Sequence, residues 1–345
     1  MTDNLSPIAR FLLLSAAFVI VITGLKMAAS LVVPFLLAVF IAMIVSPLLA
    51  WLKSRKIPSA IAILLVMMLI LLIGLILAAV IGSSIDSFRQ DIPVYSVKLA
   101  ALSQTVQQWL TALGIQIDQQ QWQAMFDPSA VMKLVGNILS SFGSVMTNSV
   151  LILLTVIFIL AENMAFGEKL KLARGNANSQ EWLIKLSDSV HGYLAIKTAI
   201  SAVTGLLIFI WLQIIGVDYA VLWGLLAFLL NFVPTVGSLI AAVPAVLLAL
   251  VQLGIGHAGL TLVGFAVVNF LMGSAVEPRW MGKGLNLSPL VVFVSLVFWG
   301  WILGPVGMLL SIPLTIIVKI ALEGHQETQW IGVILGNAEQ SGALD

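Results

Sequence analysis

The stretch LLNFVPTVGSLIAAVP, residues 229–244, places two prolines, a glycine and an asparagine inside a run without a charge. Pro234 and Gly237 should interrupt an α-helix, because proline lacks a backbone N–H and glycine is a poor helix former. Pro244 predicts a further interruption. In a bilayer, broken helices leave backbone groups that only protein or trapped water can satisfy. The stretch therefore predicts either a re-entrant turn lining a transport path or a simple kink between two spans.

The composition around this stretch is that of a membrane protein. Hydrophobic residues make up 61% of the 345 residues and charged residues only 9%, whereas soluble proteins carry about 25% charged residues. The net charge of +1 gives no reason to expect nucleic acid as a partner. Cysteine is absent and the three histidines are scattered, so we expect no metal, no other cofactor and no enzyme activity. The expected partners are the lipid bilayer and a small-molecule substrate.

Charge-free intervals show where membrane helices fit, because a span needs about 20 apolar residues. The interval from Phe11 to Leu25 is short, and a signal peptide is its rival interpretation, although another apolar run follows at once. We predict an all-α, polytopic membrane protein with about six to eight membrane helices, two re-entrant hairpins broken by proline and glycine, and a small extracytoplasmic helical insertion. The expected segments are N-terminal membrane helices (1–83), an extracytoplasmic helical segment (84–144), a membrane helix (145–162), a cytoplasmic amphipathic segment (163–196), a transport core (197–323) with hairpins at 219–253 and 285–320, and a cytoplasmic tail (324–345).

The distribution of basic residues predicts the orientation of these segments. Lys53, Arg55 and Lys56 lie in the turn between the second and third spans, and basic loops remain in the cytoplasm. Counting spans from this turn places both termini in the cytoplasm.

A second broken run lies near the C-terminus. Pro305, Gly307 and Pro313 interrupt the charge-free interval from Gly284 to Val318, and their order echoes the proline and glycine pattern of residues 229–244. Paired short, broken membrane segments are the best pointer in a sequence to a transport site. The alternative is a kinked helix or an ordinary tight loop at the surface.

Polar residues at membrane depth are the candidates for the substrate path. Lys197 shares a helix face with Tyr193, and its alternative role is that of a lysine reaching the cytoplasmic interface. Asn231 and Thr235 flank the first break, where they either bind a hydroxylated ligand or cap the broken helix ends. Asn269 lies in the middle of a span, so we expect its amide to have a partner in a helix interface or a cavity.

The charged stretch Glu277-Pro278-Arg279 precedes the second broken run. Two residues of separation do not place side chains on one face of a helix, but the proline predicts a turn in which carboxylate and guanidinium converge. Their role is either a gating ion pair or anchoring at the cytoplasmic surface.

Several of these motifs resemble those of the autoinducer-2 exporter family of bacterial inner-membrane proteins. The resemblance covers nearly the whole chain and is most specific in FWGWILGPVGMLLSIPLT, residues 298–315, and VLWGLLAFLLNF, residues 221–232. It implies export of a small organic signal, autoinducer-2, for quorum sensing, and assembly as a homo-oligomer. Thr235 and Ser238 stand where the family often has an aromatic residue and a proline, which makes this hairpin more polar.

Three functions remain open at this point. The first is export of a small polar signal along the two hairpins. The second is sodium/proton antiport, which relatives in the family perform, through Glu277, Lys197 or Asp218. The third is a membrane scaffold without transport. The long C-terminal runs carry no carboxylate at membrane depth, whereas ion-coupled pumps usually embed one, so we favour export of an uncharged molecule.

Overall fold

The computed structural model describes residues 6–114, 149–172, 177–234, 236–281, 287–324 and 327–336. All regular structure in these ranges is helical. In chain order the helices are α1 (Pro7–Met27), α2 (Ala29–Ser54), α3 (Ser59–Ala112), α4 (Ser149–Leu172), α5 (Ala177–Ile215), α6 (Ala220–Leu230), α7 (Val236–Leu253), α8 (Ile255–Phe270), a π-helical turn (Leu271–Val276), α9 (Glu277–Met281), α10 (Pro289–Leu309), α11 (Ser311–Glu323) and α12 (Gln329–Leu335). Six helices in the described ranges are long and apolar enough to cross a membrane. The chain is an all-α polytopic membrane protein, as the sequence predicts.

Two helices begin with the same local signal. The hydroxyl of Ser288 accepts the N–H of Val291 at 3.2 Å, and Pro289 occupies the first helical position of α10. Ser6 and Pro7 open α1 in the same way. Serine satisfies a backbone N–H that the first turn leaves without a partner, and proline has no N–H to lose there.

Two of the predicted interruptions are wrong. Pro244 lies inside α7, and Pro313 lies inside α11. Pro313 falls in the first turn of α11, where an N–H has no helical partner in any case. Pro244 is buried among neighbouring helices, which is the setting in which membrane helices tolerate proline. The breaks therefore reside in the residues that precede these two prolines.

The predicted turn after residue 276 is also wrong, because Glu277–Met281 is helical and continues the π-helical turn. The predicted boundaries at residues 83/84 and 196/197 fall inside the uninterrupted helices α3 and α5. The boundary at 162/163 likewise falls inside α4. Most of the predicted extracytoplasmic segment beyond residue 114 lies outside the described residues.

The chain divides into two compact units. Unit 1 comprises residues 1–63, 150–195 and 283–345, and unit 2 comprises residues 64–149 and 196–282. In unit 1, Ile22 of α1 packs with Ile302 and Leu303 of α10. In unit 2, a larger core surrounds the fully buried Trp223 of α6. Each unit contains one of the two predicted hairpins.

Candidate transport site

The first hairpin, residues 219–253, starts and ends at the same level of α5. The side-chain oxygen of Gln252, near the end of α7, accepts the backbone N–H of Asp218 at 2.9 Å. The amide of Gln252 donates to the carbonyl of Gly216 at 3.1 Å. These two bonds tie the last turn of α7 to the chain just before α6, so the hairpin returns to the place where it began.

The tip of the first hairpin, residues 231–234, reaches the other half of α5. The amide of Asn231 donates to the hydroxyl of Ser201 at 2.9 Å. Ser201 precedes Gly216 by fifteen positions, which corresponds to about 22 Å along a helix. Asn231 therefore marks the depth of the hairpin, and its predicted place at the break is correct.

The backbone at the tip packs so tightly that Gly237 admits no side chain. A Cβ at this position would overlap the carbonyl oxygen of Leu230 and press on Val233. Pro234 precedes this contact within the turn. Pro234 thus lies in the turn and Gly237 at this close contact, whereas Thr235 lies outside the described residues.

Helix α6 also crosses α5 at close range through a pair of glycines. A Cβ at Gly205 would lie 2.7 Å from the carbonyl oxygen of Gly224, and a Cβ at Gly224 would lie 2.6 Å from Cβ of Phe209. Small residues permit close backbone approach between membrane helices. This crossing holds the short α6 helix, which has 11 residues, against α5.

A buried ion pair joins α5 to the start of α9. Its lysine precedes Ser201 by one turn of α5. Lys197 Nζ lies 2.6 Å from Glu277 Oε1, and the two side chains are 6% and 23% exposed. The π-helical turn Leu271–Val276 directly precedes Glu277, and such turns are frequent at functional sites. The lysine is buried rather than reaching for the interface. Its contact with Glu277 compensates each charge within the protein.

The other predicted path residues stand apart from this pair. Arg279 is exposed, and the carboxylate of Glu277 contacts Lys197 instead of the guanidinium of Arg279. The amide of Asn269 donates to the carbonyl of Phe265, four residues earlier in its own helix, at 2.8 Å. The expected partner in another helix or a cavity is therefore replaced by a local bond.

At the base of the first hairpin, two tyrosine–aspartate bonds cross between α3 and the α5–α6 turn. Tyr95 donates to Asp218 at 2.8 Å, and Tyr219 donates to Asp91. Burial raises the pKa of Tyr219, and its bond to Asp91 raises that pKa further, so the phenol stays neutral. Phe88 packs against both tyrosine rings. The sequence reasoning did not predict this cluster. Its signal is the spacing of Asp91 and Tyr95, one helical turn apart.

The second hairpin, residues 285–320, bends at a single glycine. Gly304 has φ 68° and ψ −152° inside α10, a backbone conformation that is essentially restricted to glycine. Pro305 follows it, and a Cβ at Gly307 would overlap the carbonyl oxygen of Trp299. The predicted roles of Pro305 and Gly307 in the bend agree with this geometry.

The arm after this bend carries polar residues that the sequence reasoning did not predict. Thr315 of α11 accepts the indole N–H of Trp299 at 3.1 Å. Lys319 Nζ lies 3.4 Å from Glu323 Oε1, and Lys319 is as deeply buried as Lys197. Their spacing of four residues was the available signal. Each unit thus contains a buried lysine close to a glutamate.

Three comparisons with known proteins bear on what this arrangement does. Residues 14–326 match the model of the AI-2E family transporters. The AI-2 transport protein TqsA of Escherichia coli is 40% identical over 329 residues, which cover 95% of this chain and 96% of TqsA. YhhT of Escherichia coli, provisionally named a transport protein, is 35% identical over 97% of this chain and 96% of its own length. A Haemophilus influenzae protein with a similarly provisional transport name is 40% identical over 98% of this chain and 99% of its own length. These relatives are transporters by name rather than enzymes, and the chain belongs to the AI-2E transporter family.

Proposed function

We propose that this transporter exports a small, uncharged, hydroxylated signalling molecule of the autoinducer-2 class across the bacterial inner membrane. The similarity to TqsA, whose name assigns it AI-2 transport, supports the substrate class. The observation that carries the proposal is the contact of Asn231 at the hairpin tip with Ser201. It places a neutral amide and a neutral hydroxyl beside a break in the backbone.

The depth of the first hairpin supports a re-entrant turn as part of this proposal. The tip contacts α5 about 22 Å from the hairpin base, whereas the hydrocarbon core of a bilayer is about 30 Å thick. The segment from α8 to α9 extends one turn farther along α5, to Lys197. We therefore propose that the hairpin turns within the bilayer, where its tip borders the path.

The charges of Lys197 and Glu277 beside the proposed path neutralise each other, which supports an uncharged substrate. Lys197 and Glu277 compensate each other at 2.6 Å, so no uncompensated charge from this pair meets the ligand. The amide of Asn231 and the hydroxyl of Ser201 offer both donors and acceptors, which suits a ligand with several hydroxyl groups. With Lys53, Arg55 and Lys56 in the cytoplasm, the pair of Lys197 and Glu277 lies on the cytoplasmic side of the tip.

Efflux from reconstituted vesicles tests the proposal directly. Vesicles containing the purified protein and loaded with autoinducer-2 should lose it faster than protein-free vesicles. Asn231→Leu should lower the rate about tenfold, because it removes a donor at the tip. Asn269→Leu is the matched control, since that amide donates to a carbonyl of its own helix. Protein-free and wild-type vesicles with equal rates would refute the substrate, and equal rates for both variants would remove Asn231 from the path.

Sodium/proton antiport is the second candidate, and the partly buried carboxylate of Glu277 is the observation that favours it. Intramembrane carboxylates carry protons in many pumps. In vesicles with an imposed pH gradient, sodium should then dissipate the gradient, and Glu277→Gln should abolish the effect. A gradient that is indifferent to sodium excludes this candidate.

Assembly as a homo-oligomer remains part of the proposal, supported by the resemblance to the exporter family. The mass of the protein in a mild detergent, measured by light scattering with the detergent subtracted, should be a multiple of the 37.0 kDa chain. A monomer under all mild conditions would contradict it.

A further inference from the structure

Helix α11 carries a row of polar side chains along one face. Ser311, Thr315, Lys319 and Glu323 follow one another at intervals of four residues, which stacks them on one side of the helix. Ser311 is 0% exposed, Thr315 7% and Lys319 5%. The rest of this arm is mostly apolar. Buried polar groups are costly in an apolar environment, so the presence of this row on a buried face needs a structural or functional explanation.

Ser311 is the most informative member of the row. Its hydroxyl oxygen is fully buried and makes no hydrogen bond with the part of the chain that the structure describes. Buried helix hydroxyls usually avoid that cost by bonding a carbonyl of the preceding turn, as Thr204 does with Ile200 at 2.9 Å. A buried hydroxyl without a bond costs folding free energy. Folding alone therefore favours alanine over serine here.

Thr315, one turn farther along α11, is oriented by Trp299. The indole N–H of Trp299 donates to the Thr315 oxygen at 3.1 Å, so the hydrogen of the Thr315 hydroxyl remains available to an acceptor elsewhere. Ser311 and Thr315 together offer two hydroxyl groups about 6 Å apart along one face. That separation suits two hydroxyl groups of one small molecule.

The first hairpin shows what such a hydroxyl does when it has a partner. Lys197 and Ser201 also stand four residues apart on one buried helix face, and Lys197 also lies beside a glutamate. There the serine accepts the amide of Asn231. In unit 1 a serine and a lysine also share one buried helix face, but Ser311 precedes Lys319 by eight positions and has no amide to receive. The two units thus share residue types on a buried face and differ in their order, their spacing and the partner of the serine.

We propose that Ser311 and Thr315 form a second subsite for hydroxyl groups of the transported molecule, at the second hairpin. The inference rests on the proposed function, because it takes its ligand from there. The ligand is a neutral molecule with at least two hydroxyl groups on neighbouring atoms. Lys319 and Glu323, which are 3.4 Å apart, follow these hydroxyls along α11 and compensate each other's charge. The subsite therefore does not select for an anion. The Ser311 hydroxyl makes no hydrogen bond in the described residues, so both its donor and its acceptor are available to the ligand.

The decisive variant is Ser311→Ala, because a binding role and a structural role predict opposite results for it. The subsite predicts that autoinducer-2 efflux from vesicles falls about five- to tenfold, the effect of one hydrogen bond. It also predicts that the midpoint of thermal unfolding without ligand stays the same or rises, because a buried hydroxyl without a bond has been removed. Autoinducer-2 should raise that midpoint in the wild-type protein and raise it less in Ser311→Ala.

Thr261→Val is the matched control. Thr261 of α8 is the other buried side chain in the described residues whose hydroxyl makes no hydrogen bond, and it belongs to unit 2, whereas the second hairpin belongs to unit 1. This variant should keep the wild-type efflux rate and the full stabilisation by ligand. Thr315→Ser, which retains a hydroxyl, should keep most of the efflux, whereas Thr315→Val should lose it.

Each remaining result overturns the inference. Wild-type efflux and ligand stabilisation in Ser311→Ala would show that the hydroxyl touches no ligand. Equal losses in Ser311→Ala and Thr261→Val would show a general effect of altering buried hydroxyls. If the wild-type protein itself moves no autoinducer-2, the proposed function fails and the subsite fails with it. That last result is distinguished from the others because it appears before any substitution is made.

Discussion

The two hairpins reach a sharp reversal of the chain by different means. The first hairpin ends one helix at Leu230, has a turn at residues 231–234 and begins another helix at Val236. The second hairpin keeps helical residues on both sides of Gly304 and concentrates the bend in that residue. Both then place a glycine against a carbonyl of the preceding arm: Gly237 against Leu230, and Gly307 against Trp299. The shared requirement is close approach of two backbones, and the proline positions are secondary to it.

The hairpins differ more in their polar contacts. The first is attached to α5 through Asn231 and Ser201, and its base is attached through Gln252. The second holds Thr315 through Trp299, while the Ser311 hydroxyl bonds nothing in the described residues. The first hairpin thus uses its polar side chains for contacts within the protein, whereas the second has one buried hydroxyl without such a contact, the group on which the proposed subsite depends.

The largest expected effect comes from the two shared glycines. Gly237→Ala and Gly307→Ala should each destabilise the protein by about 3 kcal/mol, the upper range for overpacking, because the new Cβ overlaps backbone that cannot move aside. Thermal unfolding in detergent measures the loss. Gly74→Ala is the control, since a Cβ there meets nothing within 4 Å. If only one of the two hairpin variants unfolds early, the shared backbone requirement is refuted.

The next effect compares the two buried lysines. Lys197→Met should lower the free energy of unfolding by about 2 kcal/mol, because it leaves the partly buried Glu277 carboxylate without its partner. Lys319→Met should cost about 0.5 kcal/mol, since its ion pair is longer and Glu323 is a third exposed. Chemical denaturation of both variants measures the difference. Adding Glu277→Gln to Lys197→Met should restore part of the loss. Equal costs for the two lysines would contradict the ranking.

A smaller effect is expected at the bend of the second hairpin. Gly304→Ala should cost about 1–3 kcal/mol, because a side chain is strained in this backbone conformation, which is essentially restricted to glycine. Nothing lies within 4 Å of a Cβ at this position, so the cost is conformational and the variant should still fold. Its unfolding midpoint should fall between those of Gly307→Ala and Gly74→Ala. A midpoint below that of Gly307→Ala would place the critical contact at residue 304 instead.

The last prediction tests the attachment of the first tip. Ser201→Ala should destabilise the protein by about 1 kcal/mol, the contribution of one hydrogen bond. Like Asn231→Leu, this single variant should also slow efflux. Thr204→Val is the control, since that hydroxyl bonds a carbonyl of its own helix. In a double-mutant cycle, Ser201→Ala and Asn231→Leu should be less than additive. Strict additivity would show that the two side chains act separately.

The fold class and the sites of the breaks were predictable from the sequence, because both depend on local properties. Apolar runs define membrane helices whatever they pack against. Pro234 and Gly237 marked the first turn, and the segment around Pro305 marked the second. The predictions for Pro244 and Pro313 were wrong because a proline is tolerated early in a helix or among packed membrane helices, and the sequence does not reveal which setting applies.

The candidate site was predictable only in part. Lys197 and Glu277 were both named, but Glu277 was paired with its neighbour Arg279, whereas the structure pairs it with a lysine 80 positions away. Asn231 was named without Ser201, 30 positions away. Ser311 could not be predicted as a site residue, because a serine within an apolar run is ordinary unless its burial and its missing hydrogen bond are known.

The sequence by itself determined that the chain spans a membrane and that its helices break near Pro234 and Pro305, since both follow from the hydrophobicity of runs and the backbone limits of proline and glycine. Only the tertiary structure decided which polar groups meet. Contacts between distant residues depend on how helices cross and on their register, and these are set by close approaches such as that of Gly205 and Gly224. The break in residues 229–244 is a local property, whereas its contact with Ser201 is a property of the packed helices.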